Sequence, residues 1–216
     1  MNAPQEGVIL LHGLARTRRS MRPLAVSLDR QGYAVVNAGY PSRCHPKELL
    51  AQSAIPPAVA DLRRQGVSTI HFVTHSMGGI LLRCFLGAER LPELGRVVML
   101  SPPNQGSELV DCLCRFTWFR LVFGPAGCQL GTGAEALPAR LGPADFPVGI
   151  ITGHRPAIGL AGFFPGPSDG KVSVARARLS GMTDFLEVAC GHSLIMRHRP
   201  VQEQVIHFLE HGRFSR

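Results

Sequence analysis

Ser76 is the residue whose neighbours best fit nucleophilic chemistry, since it lies in THSMGG directly behind the apolar run TIHFV. A serine hydroxyl is a weak nucleophile unless a base removes its proton, and that base is usually a histidine oriented by a carboxylate. The chain offers the acid Asp169 in PSDGKVSV and the base His192 in CGHS. These residue types predict acyl transfer, with Ser76 attacking, His192 moving protons and Asp169 orienting His192.

The turn around Ser76 is an imperfect nucleophile elbow. A sharp strand-to-helix turn requires small neighbours, because the backbone passes closely there. Gly78 and Gly79 supply them on the helix side, whereas Thr74 stands where the usual motif has its first glycine. Alone, the motif fits a chance junction of strand, serine and helix as well as it fits a nucleophile. The partner residues therefore decide the interpretation.

Apolar strands alternate with helical segments along the chain. Strands are predicted at 7–11, 33–38, 69–73, 96–100, 147–152 and 185–189, and helices at 20–30, 46–64, 77–86 and 201–210. The second helix is expected to be kinked, or divided into two short helices, at Pro56-Pro57. This order predicts the α/β class, with a mostly parallel sheet of about six strands flanked by helices on both faces. In such sheets the functional groups gather beyond the carboxyl ends of the strands. The serine, the aspartate and the histidine all follow predicted strands.

The chain resembles a small α/β-hydrolase of the lipase/esterase type over nearly its whole length. The resemblance rests on VILLHGL, HFVTHSMGG, VVMLSPPNQGS, SDGKVSV and the histidine of GHS. The order Ser76, Asp169, His192 matches the family's order of nucleophile, acid and base. The resemblance implies a compact α/β-hydrolase fold in one domain, residues 1–216. It also implies an oxyanion hole formed by the backbone N–H groups of Leu14 and Met77.

Other histidines and aspartates compete for these roles. His154 follows the fifth strand, but it precedes the candidate acid in the chain, which is the wrong order for the family. Asp145 and Asp184 precede strands, so we expect them at the opposite end of the sheet. His12 and His75 flank backbone turns, where we expect them to pack or to hydrogen-bond.

Residues 105–145 form an unusually long connection between two predicted strands. The apolar segment CLCRFTWFRLVFG, 112–124, is a small cap over the site, an acyl-binding wall, or a crossover helix packed on the sheet. We favour the crossover helix, with Trp118 in the core and Phe119 nearer the pocket. The stretch GLAGFFPGP, 159–167, is expected to border the pocket as well. The candidate substrate-binding residues are Trp118, Phe119, Phe163 and Phe164, which suit an apolar acyl chain.

The net charge is +8, and nearly all of the positive charge is arginine. The arginines are scattered and no nucleic-acid motif accompanies them, so we expect a solvated basic surface and no nucleic-acid partner. If residues 112–124 cap the site, Arg115 and Arg120 could contact a substrate phosphate or make weak contact with an anionic membrane. The chain has no metal-ligand set, phosphate-cradling loop or dinucleotide motif, so neither a metal nor a cofactor is expected. The sequence is silent on the oligomeric state.

The expected location is the cytoplasm. No apolar run approaches the ~20 residues that span a bilayer, and the start MNAPQEGVILLHG lacks the features of a signal peptide. The six cysteines are accordingly expected to be reduced thiols, most of them small core residues.

Two functions from different classes fit these observations. The first is a serine hydrolase that cleaves a carboxylic ester with an apolar acyl group through an acyl-enzyme; a thioesterase or an amidase would use the same three residues. The second is a catalytically silent protein of the same fold that binds a lipid or a protein partner. The complete set of catalytic residue types in the family's order favours the enzyme.

Overall fold

The computed structural model describes residues 6–156 and 164–216. Six parallel strands form one sheet in the order β2-β1-β3-β4-β5-β6. The strands are β1 Glu6–Leu11, β2 Ala34–Ala38, β3 Thr69–His75, β4 Leu94–Leu100, β5 Val148–Gly153 and β6 Asp184–Val188. The predicted α/β architecture is confirmed, and the sheet is parallel throughout.

Helices cover both faces of this sheet. Those of the described residues are α1 Arg22–Asp29, α2 Lys47–Arg64, α3 Met77–Ala88, α4 Glu108–Leu113, α5 Thr117–Cys128, α6 Leu137–Arg140, α7 Val174–Ala177 and α8 Arg199–His211. Short 3₁₀ helices occupy Arg18–Met21 and His192–Arg197. Helices α1 and α8 pack on one face of the sheet, and α2 and α3 pack on the other.

The alternation along β1 explains why its sequence is apolar throughout. Val8 and Leu10 point into the core beneath α1 and α8, whereas Ile9 and Leu11 point into the core beneath α2 and α3. All four side chains are fully buried. Because successive side chains of a strand face opposite sides, a strand covered on both faces must be apolar at every position.

Helix α2 is continuous, so the predicted alternative of two short helices divided at Pro56-Pro57 is wrong. Both prolines lie inside the helix. Each lacks the N–H that would bond the carbonyl four residues earlier, which here belongs to Gln52 and Ser53. These two residues are exposed, so water can satisfy the freed carbonyls, while buried neighbours such as Ile55 hold the helix on the sheet.

The long connection between β4 and β5 contains α4, α5 and α6, and it includes a disulfide. Cys114 and Cys128, whose Cα atoms are 5.8 Å apart, are bonded across α5. The expectation of reduced thiols is wrong for this pair, since the spacing of the two residues does not reveal that the chain folds back between them. Disulfides are typical of oxidising compartments, so the cysteines no longer support a cytoplasmic location.

Within residues 6–156 and 164–216, every helix is too short or too polar to cross a bilayer.

A buried lysine ties this connection to α2. The ammonium of Lys47, at the first residue of α2, is fully buried and donates a hydrogen bond to the carbonyl of Ala126 in α5. The backbone N–H of Lys47 donates to the side-chain oxygen of Gln129. Burial lowers the pKa of Lys47 to about 7, because desolvation penalises the charged form.

The stability of the fold should therefore depend on the protonation of Lys47. Between pH 7 and 10.5 the unfolded chain holds this proton and the folded chain does not, so stability should rise with pH. Relative to Lys47→Met, the free energy of unfolding of the wild type should increase by up to about 1.4 kcal/mol per pH unit. Urea unfolding of both proteins across this range measures the difference. Parallel curves for the two proteins would contradict the prediction.

Candidate active site

Ser76 lies in a strained turn between β3 and α3. Its φ of 53° is in the left-handed region, which a residue other than glycine rarely adopts. Two backbone hydrogen bonds hold this conformation: the N–H of Ser76 donates to the carbonyl of Leu100 at 2.8 Å, and the N–H of Gly79 donates to the carbonyl of Ser76 at 3.0 Å. The turn lifts the Ser76 hydroxyl beyond the carboxyl end of β3, as an elbow requires.

The glycines behind Ser76 make room for two close approaches. A Cβ on Gly78 would lie 2.6 Å from the carbonyl oxygen of Leu11, at the end of β1. A Cβ on Gly79 would lie 3.2 Å from Oγ1 of Thr74. Thr74 itself is fully buried. The threonine that replaces the usual first glycine is thus accommodated because its neighbour across the turn is a glycine.

The structure brings Ser76, Asp169 and His192 together. The Ser76 hydroxyl lies 3.0 Å from Nε2 of His192, and Nδ1 of His192 lies 2.7 Å from Oδ2 of Asp169. All three residues are buried, and Ser76 retains the greatest exposure at 9%. The distances allow the hydroxyl to donate to Nε2 while Nδ1–H donates to the carboxylate, which is the arrangement of a nucleophile, a base and an orienting acid.

Asp169 is fixed by hydrogen bonds from its own loop. Its Oδ1 accepts the backbone N–H groups of Lys171 and Val172 at 2.9 and 2.8 Å, and its carbonyl accepts the N–H of His192. Burial alone would raise the pKa of Asp169, but the charge and hydrogen bond of His192, with the N–H of Val172, lower it on balance. Asp169 is therefore a carboxylate at neutral pH.

His75 contacts both the backbone carbonyl and the ring of His192. Its Nε2–H donates to the carbonyl of His192 at 3.0 Å, and the two ring centroids are 4.9 Å apart. Burial, followed by the proximity of His192, lowers the pKa of His75 well below its usual value. Sequence reasoning gave His75 only a packing or hydrogen-bonding role, without its partner, because its neighbourhood in the chain does not show what lies across the turn.

The two candidate oxyanion donors flank Ser76. Met77 is the first residue of α3, so its N–H has no partner within the helix. Leu14 follows Gly13, on which a Cβ would lie 3.1 Å from Cβ of Ser76. Among the described residues, no backbone carbonyl accepts the N–H of Leu14. Both groups are thus available near the Ser76 hydroxyl, and their role in an oxyanion hole stays a prediction.

A cavity of about 170 Å³ opens beside Ser76 and His192. Helices α4 and α5 and the segment that follows α5 supply its apolar wall, which consists of Leu109, Val110, Leu113, Phe119, Phe123 and Leu130. Of the four predicted substrate-binding residues, Phe119 lines this cavity. Phe164 is buried but does not line the cavity, and Phe163 lies outside the described residues.

The expectation that Trp118 packs in the core is wrong. Trp118 is 52% exposed and lies on the outer side of α5, whereas Phe119 is 4% exposed. One helical residue turns the side chain by about 100°, so neighbouring residues of α5 face opposite environments. Arg115 and Arg120 are also exposed near Trp118. Membrane contact by this outer face stays a prediction.

The rival residues lie elsewhere. His154 borders a different depression, formed with Pro156, Gly166 and Glu187. Asp184 begins β6 and accepts hydrogen bonds from the N–H of Phe214 and from Arg216, and Asp145 is exposed.

Two cations of the site were missed by sequence reasoning. Arg16 and Lys171 both line the cavity, although the arginines had been interpreted as scattered surface charge. Their positions next to HGL and SDG are the only local signal. Among the described residues, no three His, Cys, Asp or Glu side chains are grouped as metal ligands would be.

Comparison with known proteins shows similarity in structure only. No protein-family model and no curated protein sequence matches the chain. The mature form of the lipase BlEst2 from Bacillus licheniformis is similar at a TM-score of 0.68 and 19% identity, covering 98% of this chain and 93% of that chain. The esterase PF2001 from Pyrococcus furiosus gives a TM-score of 0.65 at 20% identity and covers 97% and 83% of the two chains.

Phospholipase PlaB from Legionella pneumophila is also similar, at a TM-score of 0.74 and 18% identity over 97% of this chain. The chain spans 60% of the length of PlaB. At these identities the likenesses show the fold. The chain has the α/β-hydrolase fold of lipases and esterases.

Replacing Asp169 tests the hydrogen-bonded series Asp169–His192–Ser76. In Asp169→Asn, the amide oxygen should keep the N–H groups of Lys171 and Val172, so the NH₂ group would face Nδ1 of His192. Nδ1 would then accept a hydrogen bond and Nε2 would carry the proton, which prevents it from accepting the Ser76 proton. We expect kcat for ester hydrolysis to fall by about 10³–10⁴-fold with the melting temperature nearly unchanged.

Asp145→Asn is the matched control, because it makes the same chemical change at an exposed position. It should leave both kcat and the melting temperature unchanged. Near-normal turnover by Asp169→Asn would exclude Asp169 as the acid.

Proposed function

We propose that the protein is a serine hydrolase that cleaves a carboxylic ester with an apolar acyl group through an acyl-enzyme intermediate. The observation that carries the proposal is the continuous row Asp169–His192–Ser76, with distances of 2.7 and 3.0 Å, at the mouth of an apolar-walled cavity. The lipase and esterase fold agrees with this chemistry, although a fold alone does not establish an activity.

The first half of the reaction forms the acyl-enzyme. Ser76 Oγ attacks the ester carbonyl carbon while Nε2 of His192 takes the hydroxyl proton. Asp169 stabilises the resulting imidazolium. As the tetrahedral intermediate collapses, the bond from carbon to the alcohol oxygen breaks, and His192 gives its proton to the departing alcohol. The acyl group remains on Ser76.

The second half releases the acid. A water molecule gives a proton to His192 and adds to the acyl carbon, and the bond to Ser76 Oγ then breaks as His192 returns the proton to the serine. In both halves the N–H groups of Leu14 and Met77 stabilise the negative oxygen. One such donor typically contributes about 3–4 kcal/mol to the transition state.

The cavity holds the first part of an acyl chain. Its volume of about 170 Å³ is close to that of an engineered protein cavity that binds benzene, so roughly six carbon atoms fit inside it, and the rest of a longer chain would extend through its opening. We therefore propose a short to medium acyl chain seated against α4 and α5. A thioester or an amide of the same acyl group would place its carbonyl in the same position, and the choice among them depends on the leaving group.

The alternative of a catalytically silent binding protein is less consistent with Ser76. A lipid-binding cavity does not require a serine in a strained left-handed conformation, and such strain costs about 1–3 kcal/mol. It equally does not require the serine hydroxyl to contact a histidine that is itself oriented by a carboxylate.

Labelling with a fluorophosphonate tests the nucleophile. The probe reacts with activated serines, so it should label the wild type and leave Ser76→Ala unlabelled. Ser53→Ala, which removes an exposed hydroxyl on α2, should label like the wild type. Labelling is read by gel fluorescence and the labelled position by mass spectrometry of the peptides. Equal labelling of wild type and Ser76→Ala, or labelling of neither, would refute the nucleophile assignment.

The chain-length profile tests the acyl wall. Phe119 lines the cavity, and each buried methylene contributes up to about 0.8 kcal/mol. Phe119→Ala should therefore reduce the preference for hexanoate over acetate esters, measured as the ratio of kcat/KM, by about tenfold. Trp118→Ala, which removes the neighbouring exposed ring, should leave the ratio unchanged.

Phe119→Ala also leaves an empty space in the protein interior, which could lower its stability. Phe119→Leu, which leaves a smaller space, is therefore measured as well and should reduce the hexanoate-to-acetate ratio less. Thermal unfolding reports the stability of each variant. A lower melting temperature with an unchanged chain-length profile would show that Phe119 supports the core and does not bind the acyl group.

A further inference from the structure

Two cationic side chains line the cavity that contains Ser76 and His192, and neither has a role in the proposed reaction. Arg16 follows the end of β1, and Lys171 lies between Asp169 and α7. Both backbones are hydrogen-bonded near the site. The N–H of Arg16 donates to the carbonyl of Gly13 at 3.3 Å, the N–H of Lys171 donates to Asp169, and the carbonyl of Lys171 accepts the hydroxyl of Ser107 at 2.6 Å.

The guanidinium of Arg16 is held close to the candidate base. Its Nη2–H donates to the carbonyl of Ser193, the residue after His192, at 3.2 Å. Within residues 6–156 and 164–216 this neutral carbonyl is the acceptor that the guanidinium uses, so most of its five N–H donors have no partner in that part of the chain. In the described parts of the chain, neither Arg16 nor Lys171 forms an ion pair with an acidic residue.

The two cations are close enough to affect each other. Lys171 is exposed to solvent over part of its length, yet desolvation beside the cavity, followed by the charge of Arg16, lowers the pKa of its ammonium, whereas the charge of Asp169 raises it. Two like charges beside one cavity repel, and a bound anion would relieve that repulsion. Arginine and lysine together are a frequent combination for binding a phosphate group.

We propose that Arg16 and Lys171 form an anion-binding subsite that selects esters whose alcohol portion carries a phosphate group. The inference rests on the proposed ester hydrolysis and specifies its substrate class. The alcohol portion, and not the acyl chain, meets the subsite for two reasons, one from the walls of the cavity and one from the position of His192.

The walls of the cavity differ in polarity. The part formed by α4 and α5 is apolar, so a charged group there would lose its hydration without a partner. The acyl chain therefore belongs to that part. Arg16 and Lys171 come instead from the segments after β1 and beyond Asp169, which also carry the site's polar groups.

The position of His192 gives the second reason. In the proposed reaction His192 protonates the leaving alcohol, so the alcohol oxygen must lie on the side of Nε2. Both cations line the cavity onto which Ser76 and His192 also open, and Arg16 is hydrogen-bonded to the carbonyl of Ser193, the residue after His192. An anionic group on the departing alcohol thus lies on the same side of the cavity as both cations.

Matched soluble esters test the subsite. Octanoylglycerol and octanoylglycerol phosphate carry the same acyl group and differ in the charge of the alcohol, and both are used below their micellar concentrations. The measured quantity is the ratio of kcat/KM for the phosphate ester to that for the neutral ester, taken within each protein variant. A general loss of activity cancels in this ratio.

We expect the wild type to prefer the phosphate ester. Arg16→Gln and Lys171→Gln should each lower the ratio by about tenfold, since each removes a charge-assisted hydrogen bond to the phosphate. Added sodium chloride should lower the ratio for the wild type and have little effect on it for the double variant. Arg30→Gln removes an exposed arginine that precedes β2, at the opposite end of the sheet, and it should leave the ratio unchanged.

A second pair of esters tests the orientation. Methyl octanoate and the monomethyl ester of octanedioic acid differ by a carboxylate at the far end of the acyl chain. Their ratio should favour methyl octanoate and should not change in the Arg16 and Lys171 variants. If the two variants reduced hydrolysis of the half-ester selectively, the subsite would face the acyl chain and the proposed orientation would be wrong.

The outcomes separate this inference from the proposed function. Hydrolysis of octanoylglycerol at a rate equal to or above that of the phosphate ester, with a ratio unaffected by Arg16→Gln and Lys171→Gln, would overturn the subsite and leave the hydrolase intact. If the wild type hydrolysed no ester and resisted the fluorophosphonate, the hydrolase itself would be refuted, and the subsite with it.

Discussion

The close contact between Gly78 and the end of β1 is the constraint on which the site depends. With no Cβ at this position, the first turn of α3 approaches the carbonyl of Leu11 to a distance that any side chain would prevent. The approach brings the start of α3 beside the loop after β1, which contains Leu14. The two candidate oxyanion donors, Leu14 and Met77, are therefore neighbours because a helix and a strand pack without a side chain between them.

The candidate base is held by several contacts that do not depend on substrate. His192 donates its backbone N–H to Asp169, shares its Nδ1 proton with the same residue, and accepts a hydrogen bond from His75 at its carbonyl. The imidazole is thus oriented before any ligand arrives. Such preorganisation reduces the reorganisation that the reaction itself would require. The polar side of the site is thus held by hydrogen bonds within the protein, with Arg16 and Lys171 at its edge.

The apolar side is built differently, from the short helices α4 and α5. Lys47 reaches from α2 to the carbonyl of Ala126, and the disulfide between Cys114 and Cys128 closes the loop that contains α5. The inner residues of α5 face the cavity, while Trp118 and its exposed neighbours face outward. The sequence left this connection as a cap, an acyl-binding wall or a crossover helix, and in the structure α4 and α5 form one wall of the cavity and part of the surface.

The sequence by itself determined the strands and the candidate triad. Continuous apolar runs such as that of β1 have one stable solution, a strand buried on both faces, and parallel strands direct the residues that follow them to one edge. That is why Ser76, Asp169 and His192 were predictable from their places after strands. The period and order of residues along the chain carry this information locally.

Only the tertiary structure decided the remaining features, because each depends on residues distant in the chain. The continuity of α2 through its two prolines follows from its packing on the sheet. The Cys114–Cys128 bond follows from a reversal of the chain. Arg16 and Lys171 are separated by most of the sequence. They line the same cavity because the loops after β1 and before α7 lie at the same end of the sheet. The net charge can be read from the sequence. A binding site requires particular charged side chains close together, and their positions depend on the fold.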